Sequence, residues 1–373
     1  MPAFLSGISG DALKERKMLI PQGTKKILLI QLGDIGDVVY TVPTIHAVKK
    51  AFPQAEISLL LREGNGALLA FDPAVSGIWE VRKGKGSIFS RLRESLRFLW
   101  NFYRAGFEVV IDLRASERGA YMAFLTGAPI RISQAFKDVS FLRNRLFTHL
   151  VNPLPRRPDD GGAVEQSLRI IRATGIEAKG EQPTLFLDPV AKERMIHLLK
   201  ELGIYHRPWL SLSPFSRWDY KELPTSTWQK VMTLLSNKGK VPMVLVGGVQ
   251  EAKKAEVLVK GLKNTVEVYN LAGKTNLADL ASLLSLSTVH LGVDSGAVHV
   301  AAAVGTPTVS VFGPSNYQEW APRGEKHKVI LGKGACVPCG KKGCNHSGYS
   351  RCLVELSPYT IVGVVEEILK GLI

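Results

Sequence analysis

The sequence predicts an α/β protein made of two doubly wound, parallel-sheet domains facing a cleft. Three observations predict it. Short apolar runs alternate with helix-period segments in two blocks, 25–182 and 190–356. Strands that alternate with helices form a parallel sheet covered on both faces. The 373 residues suffice for about two domains, and 45% apolar with 22% charged residues is an ordinary globular composition. No apolar run approaches the ~18 residues of a membrane span. Charges at Asp11, Lys14, Glu15, Arg16 and Lys17 interrupt the start of the chain, unlike a signal peptide. The expectation is a cytoplasmic protein.

Residues 1–24 form an extension ahead of the first strand, Lys26 to Leu32. Gly33-Asp34-Ile35-Gly36-Asp37 reads as a turn before a helix from Val38 to Phe52. Strands are expected at Glu56 to Leu61, Ile78 to Val81, Glu108 to Leu113 and Pro129 to Ile132. Ser87 to Arg104 reads as a helix because Ile88, Leu92, Leu96, Leu99 and Tyr103 repeat every three or four residues. Helices from Glu117 to Leu125 and from Val164 to Thr174 complete the block, and Pro183 to Pro189 reads as the linker. In the second block, strands are expected at Trp209 to Ser213, Pro242 to Val246, Val266 to Tyr269, Val289 to Val293 and Thr308 to Phe312. The helices between them start near Ala191, Pro224, Gln250, Leu277 and Ala297, and residues 357–373 form a last helix. No internal repeat is visible in the sequence.

Open α/β sheets bind ligands at the carboxyl ends of their strands, beside helix N-termini. Val293 ends a strand there, and Asp294-Ser295-Gly296 leads into the Ala-rich helix that carries His299. Small residues and free N–H groups suit a phosphorylated ligand, while the bland reading of the same turn is an N-cap. His299 is either on the ligand side or a packing residue. Gly33 to Asp37 lacks the Gly-x-Gly-x-x-Gly fingerprint, and its two carboxylates would repel a pyrophosphate. That argues against a nicotinamide or flavin here. Asp37 is either a general base facing the cleft or a first-turn acid favoured by the helix dipole. Arg217 and Lys221 suit a leaving phosphate, or belong to a solvated loop. Glu251, after Gly247-Gly248, suits ribose hydroxyls, or is a first-turn helix acid.

The net charge is +15, and residues 82–104 hold seven basic residues against the single acid Glu94. Such a bias points to an anionic partner, a phosphorylated substrate or a membrane surface. No nucleic-acid-binding motif is present, so nucleic acid ranks last. Arg93, Arg97 and Arg104 gather on one side of the apolar stripe of helix 87–104, with Phe98 and Phe102 on its other edge. This is either a peripheral membrane face or a packed helix with solvated arginines. The cysteines follow Cys336-x2-Cys339-x4-Cys344-x7-Cys352. They hold a structural zinc, with His346 as an alternative ligand, or are free thiols or labile disulfides.

Gly36-Asp37, Lys221 ahead of Leu223-Pro224, Gly247-Gly248 with Glu251, and the run Asp294 to Ala303 with Phe312-Gly313-Pro314 together resemble glycosyltransferase family 9, the heptosyltransferases of the lipopolysaccharide inner core. The resemblance spans roughly 26–313. Ile132-Ser133-Gln134 and Phe147 to Val151 are most similar to the heptosyltransferase III branch, which tends to have Ala-Pro-Ala where this chain has Gly296-Ala297-Val298. The resemblance implies a GT-B fold of two Rossmann-like domains, the first on the acceptor side and the second holding the nucleotide sugar. It implies an ADP-heptose donor, a lipopolysaccharide inner-core acceptor, inversion, and no cofactor needed for catalysis. Asp37 would be the base and Lys221 the group on the leaving diphosphate. Glu251 would meet the ribose, and Asp294, Ser295, Gly296 and His299 the diphosphate and sugar. Arg118, Arg131, Arg143 and Arg145, with Lys137, are expected near acceptor phosphates. The implied place is the cytoplasmic face of the inner membrane, on an anionic membrane surface. The rival readings are a GT-B transferase for another nucleotide sugar and a nucleotide-binding or membrane-adaptor protein without catalysis. Asp37 and Lys221 together count against the second.

Overall fold

The computed structural model describes residues 18–81, 87–135, 141–153, 156, 160–262 and 266–372. The first unit runs β1 (Lys26–Gln31), α1 (Ile35–Ala51), β2 (Glu56–Arg62), β3 (Gly77–Val81), α2 (Ile88–Arg104), β4 (Val109–Asp112), α3 (Glu117–Leu125), β5 (Ile130–Gln134), α4 (Phe141–Arg145), β6 (His149–Val151) and α5 (Glu165–Ala173). The second begins with α6 (Pro189–Glu201), β7 (Leu210–Ser213), α7 (Thr225–Gly239), β8 (Met243–Leu245), α8 (Ala252–Lys260), β9 (Val268–Asn270) and α9 (Leu277–Ser285). It ends with β10 (Val289–Val293), α10 (Gly296–Ala303), β11 (Thr308–Phe312), α11 (Tyr317–Trp320), β12 (His327–Leu331), α12 (Arg351–Val354) and α13 (Pro358–Leu372).

Each unit holds a six-stranded parallel sheet, ordered β3-β2-β1-β4-β5-β6 in the first and β12-β11-β10-β7-β8-β9 in the second. Counted within its own unit, each sheet has the order 3-2-1-4-5-6, the doubly wound Rossmann arrangement. The central strands read as unbroken apolar runs because both faces are covered. On β1, Ile27 and Leu29 face one core and Leu28 and Ile30 the other. On the second sheet, Met243 and Leu245 face one core and Val244 the other.

Each chain reversal beside the first strand opens a crevice at the carboxyl edge. In the first sheet it lies between β1 and β4, in the second between β7 and β10. The two crevices meet. Val300, Ala301 and Ala303 of α10 share a core cluster with Val38, Val39, Val42 and Ile45 of α1, so one apolar cluster spans both units. The alanines explain how closely the helices run. The last helix packs back on the second unit through Ile361, Val362, Val365 and Leu369.

Two edge strands, β6 and β12, add to the five per block expected from the sequence. Both are partly exposed and carry polar residues, so neither shows a continuous apolar run. The first helix begins at Ile35 rather than Val38, which moves Asp37 from the turn into the helix's first turn. Residues 1–17 of the N-terminal extension, Lys137 and the basic residues Arg82, Lys83 and Lys85 lie outside the described residues. No helix among the described residues is long and apolar enough to cross a membrane.

Candidate active site

The site is assembled from the loops after β1, β4, β7 and β10. Asp34 caps α1, and its N–H donates to Asp37 Oδ2 at 2.8 Å. The same carboxylate pairs with Arg114, which leaves the end of β4. A Cβ on Gly33 would collide with this ion pair, so glycine is required there for the acid to fold back against the turn. Asp37 is 11% exposed and Arg114 41%, so the pair opens to solvent on the arginine's side. Across the cleft, Arg217 reaches Asp34 at 2.8 Å and ties the second unit to the first.

Lys221 sits in a short 3-10 turn, Asp219–Lys221, after β7. Its Nζ donates to Asp294 Oδ2 at 2.6 Å, the carboxylate that directly follows β10. His299 Nε2 stands 3.8 Å from the other oxygen of Asp294. On its far side, His299 Nδ1 is 3.2 Å from Tyr40 Oη, and the Tyr40 hydroxyl donates to the Trp320 carbonyl at 2.8 Å. Burial pulls the His299 pKa down, against Asp294 and Asp37, which favour the charged ring. The imidazole is therefore neutral near pH 7. Burial also pushes the Tyr40 phenol up, with the Asp294 charge adding to it.

The chain of groups Tyr40, His299, Asp294 and Lys221 thus crosses from one unit to the other, and the Asp37 charge acts on the His299 ring from nearby. It depends on two glycines. A Cβ on Gly36 would meet His299 Cδ2 at 2.8 Å, and one on Gly296 would meet Ile35 Cβ at 2.9 Å. The space beside Gly296 is therefore taken by Ile35, so this glycine serves the approach of α1 to α10. Ser295 precedes α10, and its Oγ is buried without a hydrogen-bond partner. An orphaned hydroxyl at a helix N-terminus suits an anionic ligand. Glu251 lies one strand over, at the end of β8, where its Oε2 accepts from Gly248 N–H at 2.6 Å. Burial raises its pKa, opposed by that hydrogen bond and aided by Glu222.

The four arginines expected near an acceptor divide in two. Arg118 and Arg145 are exposed. Arg131 is turned inward: its Nε donates to the Leu146 carbonyl at 2.8 Å and Nη1 to the Ala128 carbonyl at 2.6 Å. Arg143 is 2% exposed and donates to Gln134 O, Asn144 Oδ1 and Ser133 Oγ. The Arg143 donors and two of the Arg131 nitrogens hold the loops around β5, and the burial of Arg143 corrects the expectation of a surface phosphate contact for that residue. Beneath Arg143 lies Asp112, fully buried, whose carboxyl is pushed up to about 6 by desolvation.

The cysteines share one loop region. Cys352 is buried, and Cys336 and Cys344 are exposed. The Cys344 thiol accepts from Arg351 N–H at 3.4 Å. Among the described residues, no three or more His, Cys, Asp or Glu side chains are gathered as a metal set.

Sequence reasoning missed Arg114, Tyr40 and Trp320. Tyr40 carried a signal: it lies three residues after Asp37, on the same face of α1.

Two Rossmann-like sheets whose carboxyl ends meet at one cleft, an acid on the first and a lysine on the second, are the layout of a GT-B glycosyltransferase. The model of glycosyltransferase family 9 (heptosyltransferase) matches residues 96–350, and the chain belongs to that family. It is 27% identical to lipopolysaccharide heptosyltransferase 3 of Escherichia coli over 77% of this chain and 83% of that protein. Its fold matches the solved E. coli ADP-heptose lps heptosyltransferase II with a TM-score of 0.75 at 20% identity, covering 93% of this chain and 99% of that one. It also matches E. coli heptosyltransferase WaaC with ADP-2-deoxy-2-fluoro heptose, at a TM-score of 0.68 and 20% identity over 92% and 99% of the two chains.

Proposed function

We propose that the protein transfers heptose from ADP-heptose to the inner core of lipopolysaccharide, with inversion and without a metal. The observation that carries this reading is the placement of Asp37 on one lip of the cleft and the Lys221–Asp294 pair on the other, both acting on the His299 ring. The names of the relatives support the donor and the acceptor, and the similarity to heptosyltransferase 3 favours that branch.

In this reading the first unit, 25–182, receives the acceptor and the second, 190–356, holds the nucleotide sugar. Asp37 takes the proton of the acceptor hydroxyl as its oxygen forms the new bond to the anomeric carbon. The bond from that carbon to the diphosphate breaks on the opposite face, which inverts the centre. Negative charge then grows on the diphosphate, where Lys221, the Ser295 hydroxyl and the N-terminus of α10 stabilise it. Asp294 orients Lys221, and Glu251 meets the ribose. A positioned base contributes about 10²–10⁴-fold. Positive charge on the sugar ring is offset by the acids flanking it.

The test is a transfer assay with ADP-heptose and truncated lipopolysaccharides, with products read by mass spectrometry in the presence of a chelator. A heptose-sized gain on one acceptor, lost in Asp37→Ala while ADP still binds, supports the reading. Transfer from a different nucleotide sugar, or ADP binding with no transfer at all, would replace it.

A further inference from the structure

The outer face of the first unit carries an apolar stripe that the described residues leave uncovered. Helix α2 is anchored from beneath. Phe102 packs edge-on against Trp79 and Phe107, with ring centroids 5.2 and 5.7 Å away, and Phe98 stacks on Phe102. The helical repeat then turns Leu92, Leu96, Trp100 and Tyr103 away from the sheet along one line. They are 56%, 59%, 60% and 60% exposed. A buried helix face hides such residues. This helix has a buried face and a second apolar face left open.

The stripe continues onto the neighbouring helix. A Cβ on Gly127 would strike the ring of Tyr103, so Tyr103 lies against the end of α3. There Tyr121, Phe124 and Leu125 are also exposed. Beside the stripe, a 100° step per residue sets Arg93, Arg97 and Arg104 in a second line, all exposed. Arg104 stands over the Trp100 ring at 5.9 Å, and Arg131 over Phe124 at 5.6 Å. The acid of α2, Glu94, falls on the other side of the arginine line.

We infer that this face is a docking surface for an anionic phospholipid bilayer, with Leu96, Trp100 and Tyr103 entering the interface and the arginines meeting the headgroups. Charge complementarity selects this occupant. A second copy of the chain would set one arginine line against another, whereas an anionic bilayer receives both the apolar stripe and its basic border. Trp and Tyr at the centre of the stripe are the residues that favour the headgroup level. The stripe lies toward the amino edge of the first sheet: Ala105, next after α2, offers its carbonyl to Lys26 Nζ at the start of β1, at 3.0 Å. The inference deepens the proposed function by giving the protein a hold on the bilayer that carries its acceptor, and it rests on that reading.

The test uses the full chain and flotation with phosphatidylcholine vesicles, with or without phosphatidylglycerol. Two variants are compared with the parent protein: Leu96→Ser/Trp100→Ser, and Arg93→Ala/Arg97→Ala/Arg104→Ala. All five side chains are exposed, and unchanged thermal unfolding confirms that both variants fold. The expected result is binding that requires phosphatidylglycerol and weakens about a hundredfold in the arginine variant. The serine variant is expected to lose binding as well, and both should transfer normally to an acceptor dispersed in detergent. Vesicle binding equal to the parent in both variants overturns the docking surface and leaves the transfer reading untouched. A parent dimer that both variants convert to monomer assigns the face to a second copy and also overturns it. Loss of vesicle binding in the variants, with no transfer by the parent to any acceptor, sustains the surface and removes the heptosyl reading.

Discussion

Tyr40 fixes the tautomer of His299. The Tyr40 hydroxyl has one proton, and at 2.8 Å it is given to the Trp320 carbonyl. His299 Nδ1, 3.2 Å away, must then carry its own hydrogen and donate it to Tyr40 Oη. With the ring neutral by burial, Nε2 is left with its lone pair, 3.8 Å from an Asp294 oxygen. Tyr40→Phe is expected to release this lock. One lost hydrogen bond of ~1 kcal/mol predicts a fall of roughly fivefold in kcat. Nitrogen chemical shifts of His299 should show mixed tautomers. A single tautomer in the variant would mean that Tyr40 does not set it.

Asp37→Asn keeps the size of the side chain and removes its basicity. Transfer should fall by about 10²-fold or more, with ADP affinity within twofold of the parent protein. Equilibrium binding and single-turnover kinetics check the two halves of that statement. Near-normal turnover would take the proton away from Asp37.

Lys221→Met leaves Asp294, 6% exposed, without its ammonium partner. Besides the loss of transfer, the variant should be destabilised by about 1–3 kcal/mol, because an unpaired buried carboxylate bears its desolvation cost alone. Lys221→Met/Asp294→Asn should recover stability and remain inactive. Denaturant melts of the three proteins test it. Equal midpoints for parent and single variant would show that the pair contributes nothing to the fold.

Two buried groups oppose each other in pH dependence. His290 lies between Ser211 Oγ and Ser213 Oγ, each 2.9 Å from a ring nitrogen, and burial lowers its pKa from 6.5 to about 3. In that window the unfolded chain binds a proton that the folded one refuses, so stability falls as pH falls. Asp112 is raised from 3.8 to about 6, so the folded chain holds the extra proton and stability rises as pH falls. Between roughly pH 4 and 6 the two slopes, each about 1.4 kcal/mol per pH unit, cancel. Asp112→Asn should therefore uncover a steeper loss of stability on acidification. A parallel pH profile in the variant would contradict it.

The thiols differ in reach. Cys352 is buried and its pKa is raised by desolvation and by the neighbouring thiols, whereas Cys336 and Cys344 are exposed. Alkylation followed by peptide mass spectrometry should modify Cys336 and Cys344 well before Cys352, at rates that a chelator does not change. Acceleration by the chelator would reveal a metal on these sulfurs.

Much of this was legible in the sequence because strand ends announce themselves. The apolar runs before Gly33, Pro214 and Asp294 mark where the chain leaves each sheet, and Asp37, Lys221, Asp294 and His299 follow within a few residues. Their partners were not legible. Arg114 meets Asp37 from another strand, and Trp320 offers Tyr40 a backbone carbonyl from the other unit. Arg131 and Arg143 look like surface cations until the loops around β5 show where their donors go. Gly296 reads as room for a phosphate; that Ile35 packs where its side chain would stand was not legible.

The apolar cluster shared by α1 and α10 governs how the halves can move. Pulling them apart would bring Val300, Ala301 and Ala303 into water together with the α1 valines, at about 25 cal/mol for each Å² exposed. Swivelling about the seam keeps these residues covered. The glycine contacts at its end, Gly36 on His299 and Ile35 on Gly296, make a bearing next to the chemistry. A small rotation there leaves the pivot in register and sweeps the distant rims widely.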